Sequence, residues 1–383
     1  MSLATQQLSS LVTPPPQGDS DTSIMKIEIG PSHPAMHGIV RFTTYLDGEL
    51  IVEMEPEIGY LHRGSEKLSE GESYNQVITL FDRLDYVANL NCELAFCIAV
   101  EKLMAIEVSE RSQYIRVILS ELNRIASHLL FFGTFGLDAG AMTPVMYAFR
   151  DREKVQSLFE SVSGARMMHN FIRIGGVRND VPDDFLQRMD ALIPELEQGI
   201  NEGDRLLSFN EIFLARTKGI GSINYDDAIS AGLTGPSLRA SGIPMDVRKD
   251  EPYSIYDRFD FGIPIGQNGD SWDRYYVRVE EMRQSLSIIR QALRDFPDGP
   301  HAAPVRILIR PPNGEVYVRV ENPRGELGVF LVSNGADKPY RVKVRPPSFC
   351  NLMALKNLVK GEYIADAVVI LGSLDVVLGE VDR

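Results

Sequence analysis

Two histidines stand four residues apart in the stretch GPSHPAMHGIV, at His33 and His37. Histidine titrates near neutral pH and is a common metal ligand, so the pair could transfer protons or bind a metal ion. In an HExxH motif this spacing places both histidines on one helix face, but here the glutamate is missing and the local sequence is not helical. A plain loop is the simplest interpretation of these residues alone, and proton chemistry on that loop remains open.

A second set of candidates lies in FDRLDYVANL, which groups Asp82, Arg83, Asp85 and Tyr86 within about one helical turn. From these residues alone, a solvated charged face is the favoured interpretation. Tyr86 would then be a core residue whose hydroxyl finds a hydrogen-bond partner.

A third candidate is Asp138 in GTFGLDAGAMTP, where three glycines in eight residues predict a flexible turn between two helices. The carboxylate could make local backbone hydrogen bonds, as loop aspartates commonly do. Alternatively it could orient a histidine elsewhere, fixing the imidazole tautomer and stabilising its charged form. Spacing does not decide between these two interpretations.

Strands are predicted on both sides of the histidine loop and again near the end of the chain. IMKIEIG and VRFTTYLDGELIVEME have strand character, and Asp47-Gly48 between two β-rich runs predicts a hairpin. After Pro304 the runs VRILIR, EVYVRVE and LGVFLVS are predicted strands, followed by a short helix near LMALKNLV and a final strand, AVVILG.

The middle of the chain is predicted to be helical. Apolar residues recur every three or four positions through YNQVITLFDRLDYVANL, which indicates one helix from about residue 72. A second helix is predicted after a cap at Ser109, and a third at Thr143-Pro144, with proline at its first position. A fourth is predicted from Pro182, with a bend or interruption at Pro194, and a fifth from about Trp272.

These elements predict an α+β fold in which a central helical bundle is flanked by small β layers from the two ends of the chain. Residues 1–22 are expected to form an extended or disordered arm. We expect an N-terminal β region with the histidine loop over 23–72, a helical bundle over 73–303 with a loop-rich insertion at about 209–270, and a C-terminal β region and tail over 304–383.

Composition narrows the classes of function. The net charge of −14 argues against nucleic acid or an anionic membrane surface as the main partner. No run of about 20 apolar residues and no signal peptide is evident, so a cytoplasmic protein is expected. Three cysteines without a CxxC pair are too few for an iron–sulfur cluster held by four cysteines of this chain.

Motifs in register along the chain carry a family resemblance. They are GPSHPAMHG, GYLHRGSEKL, LFDRLDYV, LDAGAMTP, SGARMM with IRIGGV, GLTGPSLRASGIPMDVRKDEPY, DRYYVRVEEMRQS and GEVDR. From about residue 25 to residue 383, the chain closely resembles the quinone-site subunit of respiratory complex I, the NADH:quinone oxidoreductase.

That family is related to the large subunit of nickel–iron hydrogenases, which hold their metal with two CxxC pairs. On this sequence the four cysteine positions fall on Asp85, Ala88, Val377 and Glu380. Alanine and valine offer no ligand, and thiolates are what nickel and iron need. We therefore expect a hydrogenase-like fold whose metal site is lost and whose cavity is reused.

The resemblance implies that the quinone head group is held between His37 and Tyr86, with Asp138 as the partner of His37. Further residues of the site would be Thr134, Val377 and Asp382 at the cavity wall, His33 on the same loop as His37, and Arg63 close behind. No catalytic role is placed on Phe135. The resemblance adds no metal or cluster to this chain; electrons would come from an iron–sulfur cluster in a neighbouring subunit.

The chemistry expected of this site is two-electron, two-proton reduction of quinone. Tyr86 would donate a hydrogen bond to one carbonyl oxygen, and protonated His37 would donate to the other and give up its proton. Asp138 would then face a neutral histidine, and the hypothesis is that this change moves the loop 31–38 and signals toward the membrane part.

As a peripheral subunit, the chain would be held on the cytoplasmic face of the membrane by an iron–sulfur subunit, a hydrophilic C-type subunit and a membrane-arm subunit. A related complex fed by ferredoxin or a deazaflavin is the main alternative. A nickel–iron hydrogenase is disfavoured by the missing CxxC pairs, and a purely structural scaffold by the set His37, Tyr86 and Asp138.

Overall fold

The computed structural model describes residues 24–32 and 38–383, so the arm 1–22 and both His33 and His37 lie outside the described residues. Helices and small antiparallel sheets make up the described part, which confirms the predicted α+β class. None of the helices in this part is both long and apolar enough to cross a membrane.

The strands are β1 (Met25–Ile29), β2 (Arg41–Asp47), β3 (Leu50–Glu57), β4 (Ile172–Arg173), β5 (Gly176–Val177), β6 (Gly314–Asn322), β7 (Gly325–Ser333) and β8 (Arg341–Arg345). The first helices are α1 (Ser65–Ser69), α2 (Tyr74–Phe81), α3 (Asn89–Met104), α4 (Glu110–Asp138), α5 (Thr143–Ser163) and α6 (Phe185–Leu207). The stretch predicted as loop-rich holds α7 (Glu211–Thr217), α8 (Tyr225–Ser230), α9 (Pro236–Arg239), α10 (Val247–Asp250) and a 3-10 turn (Tyr256–Arg258). The last helices are α11 (Ser271–Arg294), α12 (Pro347–Met353), α13 (Leu355–Leu358), α14 (Ile364–Leu374) and α15 (Leu378–Asp382).

The N-terminal sheet has the antiparallel order β1-β2-β3 and confirms the predicted hairpin. Gly48 in its two-residue turn has φ of 62°, the left-handed conformation that such turns favour. On β3, the N–H of Ile51 donates to the carbonyl oxygen of Glu362 at 2.9 Å. The segment just before α14 is thereby attached to the outer strand of this sheet.

The bundle is built around α4, a helix of 29 residues that packs against α5 and α11. It begins directly after Ser109, and α5 begins at Thr143, as predicted. Helix α6 begins at Phe185 and contains Pro194 in its interior. The helix predicted from about Trp272 is α11, which starts one residue earlier.

The helix predicted through FDRLDYVANL is wrong between residues 82 and 88, where α2 has ended and α3 has not begun. The carboxylate of Asp85 accepts the backbone N–H of Val87 and of Ala88, each at 3.1 Å. Such local side-chain bonds compete with helical ones, and here they hold a loop between α2 and α3.

The predicted turn around Asp138 is also wrong, because α4 continues to Asp138. Gly133 and Gly136 lie inside the helix and allow close packing: an added Cβ at Gly133 would stand 3.2 Å from Val145 of α5. These glycines therefore allow α4 to pack closely against α5, and α4 continues to Asp138 with Ala139 as its C-cap.

Two predicted C-terminal strands are not strands. AVVILG lies in helix α14, since a short apolar run suits a buried helix as well as a buried strand. VRILIR lacks strand pairing, and Ile307 within it is 94% exposed. The strand β8 was missed, although its sequence RVKVR alternates exposed and buried residues, and it completes the antiparallel sheet β6-β7-β8.

Two apolar cores lie within this framework. The larger combines α2–α6, α11 and the β6-β7-β8 sheet. The smaller joins β2 and β3 to the C-terminal helices α12–α15. The last residues of the chain therefore pack against the N-terminal sheet, which brings the chain end next to the segment between β3 and α1.

The larger core also encloses a set of buried charges, here called the bundle lattice. Its members are Glu121, Arg124 and His128 of α4, Arg239, Asp246 and Arg248 of the segment from α9 to α10, Glu281 of α11 and Glu321 of β6. Arg248 pairs with both Asp246 oxygens and with Glu121, and Arg239 pairs with Glu281 and Glu321.

Candidate functional site

The loop 82–88 carries Tyr86 and is largely buried. Asp82 and Asp85 are each 0% exposed, so a solvated charged face is the wrong interpretation of these residues. Asp85 Oδ2 accepts a hydrogen bond from Arg324 Nη1 at 2.7 Å, and Asn322 Nδ2 stands 3.3 Å away. Since Asp85 Oδ1 binds the loop's own backbone, this carboxylate fixes the loop and ties it to the β6–β7 turn.

Tyr86 is half-buried, and its ring packs on the first turn of α15. A Cβ added at Gly379 would stand 3.0 Å from Tyr86 Cε1, so the ring approaches this backbone closely. Arg63 Nη2 donates to the carbonyl oxygens of Arg83 (2.6 Å) and Gly379 (3.2 Å) and joins the loop to the helix. Burial raises the pKa of Tyr86, so its hydroxyl is a neutral hydrogen-bond donor at physiological pH.

Arg324 links this loop to the segment after α14. Its Nη1 also donates to Ser127 Oγ at 3.1 Å, and its Nη2 stands 3.3 Å from Asp375 Oδ1. Arg278 of α11 approaches the second oxygen of Asp375, with Nε and Oδ2 at 3.8 Å. We call Asp85, Arg278, Arg324, Asp375 and Glu380 the Tyr86 cluster.

Asp138 and Thr134 share one face of the last turn of α4. Thr134 Oγ1 donates to the carbonyl oxygen of Leu130 at 3.0 Å, so its hydroxyl is held by its own helix. Asp138 Oδ2 lies against α14, where a Cβ added at Gly372 would be 2.6 Å away. Because Gly372 precedes Asp375 by less than one helical turn, α14 connects Asp138 to the Tyr86 cluster.

Val377 and the flank of the histidine loop meet at the start of α15. Val377 is buried, and its N–H donates to Ser348 Oγ at 3.1 Å. A Cβ added at Gly38 would stand 2.8 Å from the side chain of Leu378. The structure therefore anchors the residue after the segment 33–37 next to Val377, while His33 and His37 themselves lie outside the described residues.

Asp382 is engaged by the backbone between β3 and α1. Its Oδ1 accepts the N–H of Gly59 at 2.9 Å, and its Oδ2 accepts that of Leu61 at 2.7 Å. The carbonyl oxygen of Asp382 lies 2.6 Å from His62 Nδ1. This carboxylate thus positions the segment that carries Arg63.

Sequence reasoning assigned no role to Arg324, Asp375 or Glu380. Glu380 is fully buried, and its Oε1 accepts the N–H of Ser348 at 3.0 Å. Burial and the nearby charge of Asp85 raise its pKa to about 8, against the effect of Arg324. For Glu380 the available signal was the expectation that it stands where nickel–iron hydrogenases have a cysteine; Arg324 and Asp375 gave none.

Among the described residues, no three His, Cys, Asp or Glu side chains are grouped so that they could hold a metal ion. Cys92 and Cys97 are buried in α3, and burial raises the pKa of both thiols well above the ordinary value. Both cysteines are therefore neutral small side chains of the core.

Comparison with known proteins agrees with the motifs. Residues 138–309 and 305–383 match the family described as respiratory-chain NADH dehydrogenase, 49 kDa subunit. The D-type subunit of the NADH-quinone oxidoreductase of Dehalococcoides mccartyi strain 195 is 52% identical over 358 residues, which cover 93% of this chain and 98% of the relative. The equally named proteins of Carboxydothermus hydrogenoformans and Bacillus cereus ATCC 14579 are 51% and 48% identical, and each alignment covers 94% of this chain and 99% of the relative.

The chain therefore belongs to the 49 kDa subunit family of the respiratory-chain NADH dehydrogenase. The resemblance drawn from the motifs is confirmed. The chain is accordingly one part of a multi-subunit oxidoreductase.

Proposed function

We propose that this chain forms the quinone-reduction site of a proton-pumping NADH:quinone oxidoreductase, with electrons arriving from an iron–sulfur cluster in a neighbouring subunit. The observation that carries the proposal is the placement of Tyr86. A neutral phenol is held on a loop that Asp85 and Arg324 fix from one side and Arg63 and Gly379 from the other. A hydrogen-bond donor fixed in this way can orient a quinone carbonyl.

Each site residue has a proposed task. Tyr86 donates a hydrogen bond and then its proton to one quinone oxygen, and protonated His37 does the same at the other. Asp138 holds the charged form of His37, and His33 helps to position the histidine loop. The change of charge at His37 then moves the loop 31–38 and signals toward the membrane part of the complex.

The remaining predicted residues form the wall of the site. Val377 offers a buried apolar surface beside Gly38, and Thr134 offers its methyl group, since its hydroxyl is bonded within α4. Arg63 and Asp382 act behind the wall, because both bind backbone groups that hold Tyr86 or its supporting helix.

The site also fits a former metal cavity of a nickel–iron hydrogenase-like fold. Asp85 and Glu380 take two of the cysteine positions, and the charges of both act on Tyr86. Two carboxyl groups, an alanine and a valine in place of four thiolates, with Arg324 and Tyr86 beside them, suit proton chemistry better than binding of nickel and iron.

The proposed partners are an iron–sulfur subunit at the quinone site, a hydrophilic C-type subunit and a membrane-arm subunit at the quinone entrance. These would hold the chain at the cytoplasmic face of the membrane. Exposed apolar side chains at the start of α5, including Met142, Met146 and Phe149, follow Asp138 closely and offer a surface for such a neighbour.

The test is Tyr86→Phe in the assembled complex, which removes only the hydroxyl. We expect quinone reduction to fall by about 10²-fold or more while electron transfer to an artificial acceptor upstream of quinone is unchanged. Tyr340→Phe, at a tyrosine that is 65% exposed, is the matched control and should have no effect. Normal quinone reduction by Tyr86→Phe would withdraw the site assignment.

A further inference from the structure

Glu380 is a buried acid next to the proposed hydrogen-bond donor. It directly follows Gly379, against which the Tyr86 ring packs. Its Oε2 is buried and has no hydrogen-bond partner among residues 24–32 and 38–383. The nearby Arg324 directs Nη1 to Asp85 and Nη2 to Asp375, so both terminal nitrogens of this cation are engaged by other carboxylates.

The groups that act on Glu380 come from four elements. They are Asp85 and Tyr86 of the loop 82–88, Cys92 of α3, Arg324 of the β6–β7 turn, and Ser348 and Cys350 of α12. Both oxygens of the Asp85 carboxylate are hydrogen-bonded, one to Arg324 and the other to two backbone N–H groups. A second negative charge beside it is unfavourable in a buried site, so Glu380 is the group that takes up a proton.

We propose that Glu380 is a proton donor of this site, returning to Tyr86 the proton that Tyr86 gives to quinone. This inference rests on the proposed function. The two electrons come from NADH through the iron–sulfur reductant of the complex, as the oxidoreductase activity requires. The Tyr86 O–H bond breaks as a quinone O–H bond forms, and the Glu380 O–H bond breaks as the Tyr86 O–H bond re-forms.

Arg324 has a defined part in this step. Once Glu380 has lost its proton, the cluster carries one more negative charge, and the guanidinium of Arg324 is the cation that stabilises the ionised carboxylate. Proton uptake from solvent then restores the neutral acid. A buried carboxyl group whose protonated form prevails near neutral pH is suited to this cycle, because its pKa lies close to the operating pH.

The test compares Glu380→Gln and Glu380→Asp in the assembled complex. Glutamine keeps the shape and an oxygen for the Ser348 N–H but carries no transferable proton. We expect kcat for quinone reduction to fall by about 10²-fold with KM for quinone unchanged, and aspartate to restore part of the rate. Glu326→Gln is the matched control at another buried glutamate, paired with Arg345, and should keep the wild-type rate.

The pH profile separates proton donation from a merely structural role. In the wild type, kcat should fall on the alkaline side as Glu380 ionises, and Glu380→Gln should lack this limb. Infrared difference spectra of the wild-type complex should also show a protonated carboxyl band that is lost as the pH rises past about 8. That measurement remains decisive if the variants fail to assemble.

Three outcomes are distinguishable. Loss of activity in Tyr86→Phe together with a wild-type rate and pH profile in Glu380→Gln would overturn this inference and leave the proposed function standing. Normal activity in Tyr86→Phe would overturn both. A fall in kcat without a changed pH profile, or the absence of a titrating carboxyl band, would assign Glu380 to structure only and overturn proton donation.

Discussion

The bundle lattice and the Tyr86 cluster are both buried sets of opposite charges, but their hydrogen bonds are completed to different degrees. In the lattice, Glu121 accepts bonds from Tyr256, Ser285, Arg124 and Arg248. Within the described residues, the unpartnered atoms of the lattice are Arg124 Nη1, a donor, and His128 Nδ1, which is an acceptor because Nε2 donates to Glu281.

In the Tyr86 cluster, carboxylate oxygens also lack hydrogen-bond partners among the described residues. Oδ2 of Asp375 and Oε2 of Glu380 are buried and unbonded, as are the Nε atoms of Arg278 and Arg324. An unbonded carboxylate oxygen can take up a proton, whereas a fully bonded carboxylate cannot do so without losing bonds. Glu380 therefore keeps an oxygen that can take up a proton, whereas both oxygens of Glu121 are hydrogen-bonded.

The pKa values of Glu121 in the lattice and Glu380 in the Tyr86 cluster differ accordingly. Arg124 and Arg248 outweigh the effect of burial on Glu121 and lower its pKa to about 2. Burial and Asp85 outweigh Arg324 at Glu380 and raise its pKa to about 8. Glu121 is thus ionised and Glu380 protonated near pH 7, while Glu321 of the lattice, whose pKa burial raises to about 7, lies between the two.

The largest effect is expected from Arg248→Met, which removes a cation from the lattice. Asp246 and Glu121 would keep their charges in the core without this partner, and breaking a buried pair in this way costs about 3–5 kcal/mol. Amide hydrogen exchange of α4 in the assembled complex measures the loss. Quinone reduction per folded complex should change far less than the exchange rates.

Arg294→Met is the control for that variant, because Arg294 pairs with Asp295 at the surface. It should leave the exchange rates unchanged. If Arg248→Met behaved like Arg294→Met, the lattice would not be the framework that the comparison requires.

The fold could be predicted where local chemistry decides it. The hairpin at Asp47-Gly48 and the start of α4 after Ser109 depend on adjacent residues, and both are confirmed. The break at 82–88 was missed because the apolar period runs through Leu84 and Val87, which are buried in a loop as they would be in a helix. The loop conformation at 82–88 depends on the hydrogen bond between Asp85 and Arg324, which lie 239 residues apart in the sequence.

The residues of the candidate site also divide into those that the sequence could indicate and those that it could not. Tyr86 and Asp138 could be named from motifs that the family carries, whereas Arg324 and Asp375 could not. Their contacts join segments that are distant in sequence, and an isolated arginine in a β-turn gives no signal of its own. AVVILG was assigned to a strand because a short apolar run does not distinguish strand from helix.

A second prediction addresses the contact between α14 and Asp138. Gly372→Ala adds a Cβ 2.6 Å from Asp138 Oδ2, so the carboxylate must shift. Overpacking costs about 1–3 kcal/mol, and the gain in helix propensity from glycine to alanine offsets about 1 kcal/mol. Stability should change little, while KM or kcat for quinone should change by about ten-fold, since a misplaced catalytic group is costly.

Gly262→Ala is the matched control for this substitution, because its added Cβ would have 3.7 Å to the nearest atom. It should be neutral in stability and in quinone reduction. Wild-type quinone kinetics in Gly372→Ala, with α14 folded as judged by hydrogen exchange, would remove Asp138 from the proposed site.

The third prediction concerns stability between pH 5 and 8, where each variant is compared with wild type at the same pH. Glu121 is ionised in both the folded and the unfolded chain over this range, since 4.5 is its ordinary pKa and about 2 its folded value. Its stabilisation is lost only as the pH falls below about 4.5 toward 2. Glu121→Gln should therefore lower stability by a constant amount from pH 5 to 8.

The pKa of Glu380 is shifted in the opposite direction to that of Glu121, so its effect on stability changes with pH in the opposite sense. Its folded pKa is raised from 4.5 to about 8, so the folded chain holds a proton that the unfolded chain has lost, and stability falls as the pH rises through this range. Glu380→Gln removes that slope, which is at most about 1.4 kcal/mol per pH unit, so the variant should gain stability relative to wild type with rising pH. Amide hydrogen exchange at α15, compared between the variant and the wild type at each pH, measures this difference in stability. A constant offset, as for Glu121→Gln, would mean that Glu380 is ionised in the resting site, and the two charge sets would then not differ in the way their hydrogen bonds indicate.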